Sequence, residues 1–558
     1  MLTRKLSPRS LLKTFPAILV LIFISACGGS GSSDETSTPP PPPPVSKSIT
    51  TNEAARFLTQ ATFGADIESI TLLADIGYDA WLDQQFNLPA TLHRPLVLEY
   101  PDDVNLNQGH RYEVWWRNAI TADDQLRQRV AFALSEIFVV SDKSVLNRTP
   151  YGMAGYYDIL VRNAFGNYRS LLEEVTLSPI MGIYLSMLGN EKPNEQLNIR
   201  PDENYAREVM QLFSLGLVKL NNDGSTQLDS NNQPISTYDQ DVIKGFAQVF
   251  TGWNYADNPS WYDVQFNFFD PMKAFEGFHD TGEKELLDGF ILPAGGTTKS
   301  DLDTALDTIF NHQNVGPFIS HQLIQRLVTS NPTPDYIERV ATIFNDNGDG
   351  VRGDLKAVVK AILTDDEAIS SVTLQEATFG KLKEPLLRIS QLWRAFHATA
   401  ESGKYFFGFS GFLTGQAPLS APSVFNFYSP KFSPAGELAD AGLVAPEFQI
   451  LNETFITHTL NLLAFDTFVG YQGIELDPND PESVNRILIN IDAELALASD
   501  PAALVESFDL LLLSGQMDDN MKAELIASIE AFPASEGLLR VLSSLYLTVA
   551  SPQYSVQK

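Results

Sequence analysis

His279-Asp280 is the most chemically suggestive pair in the chain, because imidazole beside carboxylate can hold a metal ion or relay a proton. Only seven histidines are present, and a metal needs three or four ligands. A site at His279 or Asp280 would therefore have to recruit Glu203, Glu208 or Asp241 from elsewhere in the chain. Glu208 could serve as a general base or ligand if burial set its protonation state. Trp253 could stack on a ligand or plug the core. The bland reading of the same residues is structural: Glu203 and Arg207 pair at i,i+4, His279 pins a loop, and Asp280 caps the turn before Lys284. A second candidate is a calcium loop. Asn345, Asn347 and Asp349 stand at positions 1, 3 and 5 of an EF-hand-like run with Gly350 at position 6. Position 12 is Lys356 where a bidentate Glu is required, so any calcium would need the Val351 carbonyl and Asp354. An Asn/Gly turn capped by Asp354 explains the same residues without an ion. No cofactor is specified beyond these possibilities of calcium or another divalent metal.

Several standard motifs are missing. The sequence has no HExxH, no GxSxG elbow, no Walker A loop and no dinucleotide fingerprint. Nucleotide binding is not expected. With 38 basic residues against 69 acidic ones, the net charge of -31 also disfavours nucleic acid, whose phosphates such a surface repels.

Residues 1–26 carry Arg4, Lys5, Arg9 and Lys13, then an apolar run from Phe15 to Ile24 too short to span a bilayer with these flanks. Ile24-Ser25-Ala26-Cys27 resembles a bacterial lipobox, which implies cleavage before Cys27, its diacylation, and attachment to a membrane. Cys27 is the only cysteine, so no disulfide can form within the chain. Residues 27–50 form a Gly/Ser-rich and then Pro-rich tether, with Pro39 to Pro44 as a stiff spacer. Gly28, a residue other than Asp after the lipidated cysteine, implies outer-membrane sorting in a diderm bacterium. The expected location is the cell envelope, facing the periplasm or the surface.

From residue 51 to 557 the hydrophobic period is mostly helical, and the 558-residue chain as a whole, 44% apolar and 19% charged, has an ordinary globular mix. Helices are expected at 66–76, 122–140, 152–163, 203–215, 239–250, 301–312, 315–329, 334–345, 354–364, 383–399, 448–464, 486–498, 502–514, 520–529 and 535–549. The segment 261–269 alternates partly and could be a strand or hairpin arm. The fold class is mainly α: a large multi-helical body with long irregular loops and at most a few short strands. A C-terminal helical lobe from about 442 is one possible subdivision.

The body resembles the bacterial family called domain of unknown function 1800 (DUF1800). The resemblance rests on Ala55 to Gly64, Glu203-Asn204-Tyr205-Ala206-Arg207-Glu208 with Leu212 to Gly216, Tyr238, Asp241-Val242, and Thr251-Gly252-Trp253. His279-Asp280 with Lys284 and Gly289, Asn345 to Leu355, Pro422 to Pro430, Gly442 to Asn452 and Ser551 to Gln557 complete it. Members are typically exported, and their genes often neighbour those of a second family, domain of unknown function 1501 (DUF1501), which implies a protein partner. No activity comes with the resemblance. Two functions are compatible with all this: an envelope binding or assembly protein, or a metal-assisted hydrolase of an extracellular polymer built on Glu203, Glu208, Asp241, His279 and Asp280.

Overall fold

Helix signals in the sequence become helices where a cap and an apolar stripe coincide. In the computed structural model, which describes residues 49–558 apart from 102, 408–409, 477–478 and 481–482, Thr50 caps the Thr51–Ala61 helix. Its hydroxyl accepts the Glu53 amide at 3.2 Å while Glu53 returns a bond to the Thr50 amide at 2.7 Å. Asp66 and Ser69 cap Ile67–Ile76 in the same reciprocal way. Residues 1–48, with the expected leader, Cys27 and all of the expected tether but Ile49 and Thr50, lie outside the described residues. Twenty-five α-helices are present among the described residues, with strands only as three two-stranded pairs. The mainly α reading therefore stands.

The inner layer is formed by Gln108–Thr121, Gln125–Ser135, Pro150–Asn163 and Val315–Leu327. Gln125–Ser135 is buried on every side, Arg127, Gln128 and Arg129 included. The amphipathic stripe expected there (Leu126, Val130, Ala133, Leu134) is real, but the opposite face meets protein as well. The helix is also shorter than expected over 122–140, ending at Glu136, after which the chain turns and runs extended. The helix expected over 203–215 is likewise confined to Asn204–Gln211. The chain unwinds through Leu212 to Gly216, whose amide returns to the Met210 carbonyl at 3.1 Å with φ +73°.

The segment 261–269 is not a strand. Trp253–Asn254 pairs antiparallel with Lys273–Ala274, and residues 261–269 belong to the excursion between them. Asn258 and Asn267 shape that excursion: Asn258 Oδ1 accepts the Gln265 amide, and Asn267 Oδ1 accepts the amides of Phe269 and Asp270.

The described residues, from Ile49 to Lys558, form one compact unit. The tail is stitched into it: Val556–Gln557 pairs antiparallel with Lys381–Leu382, and Gln557 Nε2 donates to Leu327 O at 2.7 Å. Trp393 Nε1 donates to Asp466 Oδ2 at 3.0 Å, joining Pro385–Ala395 to Glu453–Phe468. One hydrophobic cluster runs through nearly all of these elements. No helix among the described residues is long and apolar enough to cross a membrane.

Close packing makes one glycine diagnostic. A Cβ on Gly245, in the middle of Gln240–Val249, would stand 1.9 Å from the Glu285 carbonyl oxygen, so only glycine lets the Lys284–Glu285 strand lie against that helix. Gly245→Ala is expected to cost about 2–3 kcal/mol through overpacking. Gly277→Ala, where a Cβ meets open space, should stay within about 0.5 kcal/mol of wild type. Urea unfolding of the two variants side by side checks this.

Candidate functional site

The residues nominated from the sequence do not converge on one cleft. Glu203 is the N-cap residue of Asn204–Gln211 and sits at the surface, 3.2 Å from Arg207 Nη2 and accepting from Gln240 Nε2 at 2.8 Å. Asp241 lies on the exposed first turn of Gln240–Val249, paired with Lys244 at 2.8 Å. Glu208 is buried, and its Oε2 has no partner. Burial raises its carboxyl pKa against the pull of Arg207. The phenols of Tyr184 and Tyr238 are pushed up to about 12, by burial first and the Glu208 charge second. Among the described residues, no group of three or more His, Cys, Asp or Glu side chains is arranged to hold a metal.

His279 instead belongs to a dry structural centre. Its Nδ1 is 3.1 Å from the Thr251 carbonyl and its Nε2 is 3.1 Å from Asp301 Oδ2, an oxygen that also takes Lys284 Nζ at 2.8 Å. All three side chains are at most 2% exposed. Gly252, at φ +85°, lets the Thr251-Gly252-Trp253 turn press on the His279 backbone, because a Cβ there would meet His279 at 3.0 Å. Trp253 is 3% exposed and so plugs the core, which rules it out as an open stacking platform. Asp280 receives the Gly282 amide at 2.7 Å, the turn-capping role. Sequence reasoning reached His279 and Lys284 but not Asp301, which sits within the regular pattern of Thr298–Asn311.

The 345–354 loop turns its oxygens inward. Asn347 Oδ1 accepts the amides of Asp349 and Val351 at 3.0 and 3.2 Å, and the Val351 carbonyl accepts the Asn347 amide at 3.1 Å. Asp354 caps Leu355–Thr364 and takes Asn347 Nδ2 at 2.7 Å. Asn345 is directed to Asn222 and Arg352. Apart from the exposed Asp349 carboxylate, the groups a calcium ion would need are those that hold the turn together.

A different place combines a cavity with unusual electrostatics, and sequence reasoning missed it. A cavity of about 540 Å³ opens between Val315–Leu327, the Leu212–Leu220 stretch and the loop around Tyr428. Its floor is a buried cluster of charges. Tyr428 Oη donates to Glu136 Oε2 at 3.1 Å, and Gln416 Nε2 bridges Glu384 and Glu136. Lys381 Nζ lies 3.0 Å from Glu447 and 3.8 Å from Glu384, and donates to the Arg326 carbonyl at 2.9 Å. Arg129 donates to that same carbonyl at 2.6 Å, and Arg326 donates to Glu136 O at 3.1 Å.

Burial, then the neighbouring Glu384 charge, drives the Glu136 carboxyl well above its ordinary range. Burial opposes the Glu384 charge too, but Lys381 and the hydrogen bond from Glu136 outweigh it and hold that group below its ordinary value. The two carboxyls titrate as a coupled pair, with Glu136 the member whose charged form is disfavoured. Burial, aided by Lys431 and Arg326, brings the His321 imidazole down to about 4, so it is neutral at pH 7. Three donors in the wall make no hydrogen bond: Gln322 Nε2, Asn426 Nδ2 and Arg326 Nε, the last of which lies 3.8 Å from Glu136 Oε2. The available signal was local: Glu136 and Lys381-Leu382-Lys383-Glu384 are charges set in or beside apolar runs, which only other buried charges can satisfy.

A second cavity, of about 480 Å³, is walled by Trp393, Phe407 and Phe465 over Asp466. Burial raises Asp466 to about 7, against the bond from Trp393. Between about pH 4 and 7 the unfolded chain releases this proton while the folded chain keeps it, so this group's contribution to stability falls as pH rises. Asp466→Asn keeps an acceptor for Trp393. It is expected to match wild type near pH 4 and to be more stable by up to about 4 kcal/mol at pH 8, read from urea unfolding at both values.

The His279–Asp301–Lys284 centre supplies a further prediction. Asp301→Ala strands two buried polar groups and is expected to cost about 3–5 kcal/mol, whereas Asp301→Leu with Lys284→Met together should cost less. Thermal and denaturant unfolding of the single and double variants distinguish the two.

Comparison with curated proteins and with solved structures returns no match. A family model described as protein of unknown function (DUF1800) matches residues 56–556, nearly all of the described body and every segment from Glu203 to Asn452 on which the resemblance rests. The chain belongs to the DUF1800 family.

Proposed function

We propose that this protein is an exported envelope protein that works by binding, held to a membrane through acylated Cys27 and carrying its ligand in the cavity above Glu136. The cavity carries this reading. It joins an apolar wall to a polar floor, the form that small-molecule sites take. Two segments of the family resemblance line it, through Leu212, Leu215 and Gly216 and through the Val424 to Pro430 loop, and a third supplies Glu447, 3.0 Å from Lys381 in the charge cluster. The alternative, a metal-assisted hydrolase built on Glu203, Glu208, Asp241, His279 and Asp280, loses support because four of these residues are bonded separately, Glu203 to Arg207, Asp241 to Lys244, His279 to Asp301 and Asp280 to Gly282, and because no three of the five are arranged to hold a metal among the described residues. A protein of the DUF1501 family as partner, and outer-membrane sorting through Gly28, are part of the same proposal.

Two measurements test it. Labelled palmitate should enter the wild-type chain and not Cys27→Ser, which should leave the membrane fraction. Organic extraction of the purified full chain should yield a small molecule that the cavity-filling variant Val218→Trp lacks. An empty wild-type cavity, together with release of soluble fragments from envelope polymers, would replace the binding reading with the hydrolase.

A further inference from the structure

The cavity has a direction. Phe318, His321, Gln322, Gln325 and Arg326 project into it from one face of Val315–Leu327, so its wall runs from an aromatic ring to a guanidinium over eight residues. At the helical rise per residue that distance is about 12 Å. The Phe318 end is apolar. Leu215, Leu217, Val218 and Leu220 face it, and a Cβ on Gly216 would touch the Phe318 ring at 3.0 Å. Leu217 and Phe425 are each 57% exposed among the lining residues, too much apolar surface for a wall that meets nothing.

The other end is rich in donors and poor in negative charge. Glu136 is the one acid in the lining, and burial first, then the Glu384 charge behind it, raises its carboxyl well above the ordinary range, which disfavours its charged form. The lining cations are Arg326, whose Nε makes no hydrogen bond and lies 3.8 Å from Glu136 Oε2, and Lys431 at the exposed side. Gln322 and Asn426 are 8% and 7% exposed, and each leaves an amide nitrogen without an acceptor. Gln322 stands one helical turn before Arg326, whose Nη1 bonds the Gln322 carbonyl at 3.0 Å, so these two share one patch of wall, and Asn426 lines the same cavity. Buried donors without acceptors are costly. An oxygen-rich anionic group is the complement that satisfies them without adding an unpaired charge.

We propose that the cavity takes a single-chain amphiphilic carboxylate, with its hydrocarbon along Phe318 and the Leu215–Leu220 wall and its carboxylate on Gln322, Arg326 and Asn426. This rests on the binding reading above and specifies the ligand. Charge complementarity selects this occupant over a neutral or cationic amphiphile, and the length of the wall selects a medium chain.

The test is calorimetric titration of the full chain with decanoate, decan-1-ol and decyltrimethylammonium. Decanoate is expected to bind at least about tenfold more tightly than decanol, the worth of a charge-assisted bond inside a dry site. Decyltrimethylammonium should not displace it. Gln322→Leu, which removes a donor that bonds nothing in the protein, should weaken decanoate about fivefold or more while leaving decanol within about twofold. An unchanged melting temperature in that variant would assign the loss to the ligand. Equal binding of all three amphiphiles, or a Gln322→Leu effect of the same size on decanol, would overturn the carboxylate assignment. If none of the three binds while organic extraction still yields a cavity ligand, the carboxylate inference falls and the binding reading stands. If extraction also yields nothing, both fall.

Discussion

The charges buried around Glu136 constrain the rest of the molecule. Glu136, Glu384, Glu447, Lys381, Arg326 and Arg129 come from positions spread over more than three hundred residues, and each is at most 3% exposed. A charge removed from water is tolerated only when partners stand at bonding distance. The inner helices, the Lys381–Leu382 strand, the Tyr428 loop and the Glu447 turn must therefore reach register together. The shared carbonyl of Arg326, taken by both Lys381 and Arg129, shows how closely they are held. Such a cluster adds little net stability compared with a well-packed apolar core. Its effect is to penalise any arrangement in which one of these elements is displaced.

How much of this was legible follows from the physics of each signal. Helices with a cap and a one-sided stripe, such as Pro334–Asn345 and Leu355–Thr364, stand where the period put them. Their ends were harder to read: Glu136 and Leu212 stop their helices because tertiary contacts claim the chain there, and no cap residue marks the spot. The alternation in 261–269 suggested a strand, but its polar residues fold the segment back on itself through Asn258 and Asn267. The site was legible in pieces. His279 and Lys284 were nominated by type, yet their common partner Asp301 lies in a helix of ordinary composition. The ion cluster was illegible for a related reason. A lone Glu or Lys in an apolar run does not say which distant residue neutralises it.

The family signature and the cavity have different physical roles. Thr251-Gly252-Trp253 and His279-Asp280 with Lys284 form a sealed hub in which Gly252 and Gly296 leave room for backbone and carboxylate; a Cβ on Gly296 would stand 1.8 Å from Asp301 Oδ1. Residue types with catalytic reputations are used there to join a loop-rich region to two helices. Chains without disulfides have only burial and hydrogen bonding with which to fix long loops, and a dry His–Asp–Lys junction does this at one point. The signature motif thus rigidifies one side of the body.

Rigidity there matters to the cavity because Asn204–Gln211 and Gln240–Val249 pack together, and the chain leaving the first of them becomes the apolar wall. Gly216 turns that chain in the left-handed region and clears the Phe318 ring, while Asn314 Nδ2 holds the Leu215 and Val218 carbonyls at 2.9 and 2.7 Å. The wall is thus fixed from behind by the hub and from the side by Asn314, and the floor is fixed by the ion cluster. A site whose wall and floor are set by independent networks does not collapse when empty. For the binding proposed above, a preformed cavity of this kind would lose little ordering entropy, so its apolar area and its donors without hydrogen bonds would translate into affinity more fully than those of a mobile loop.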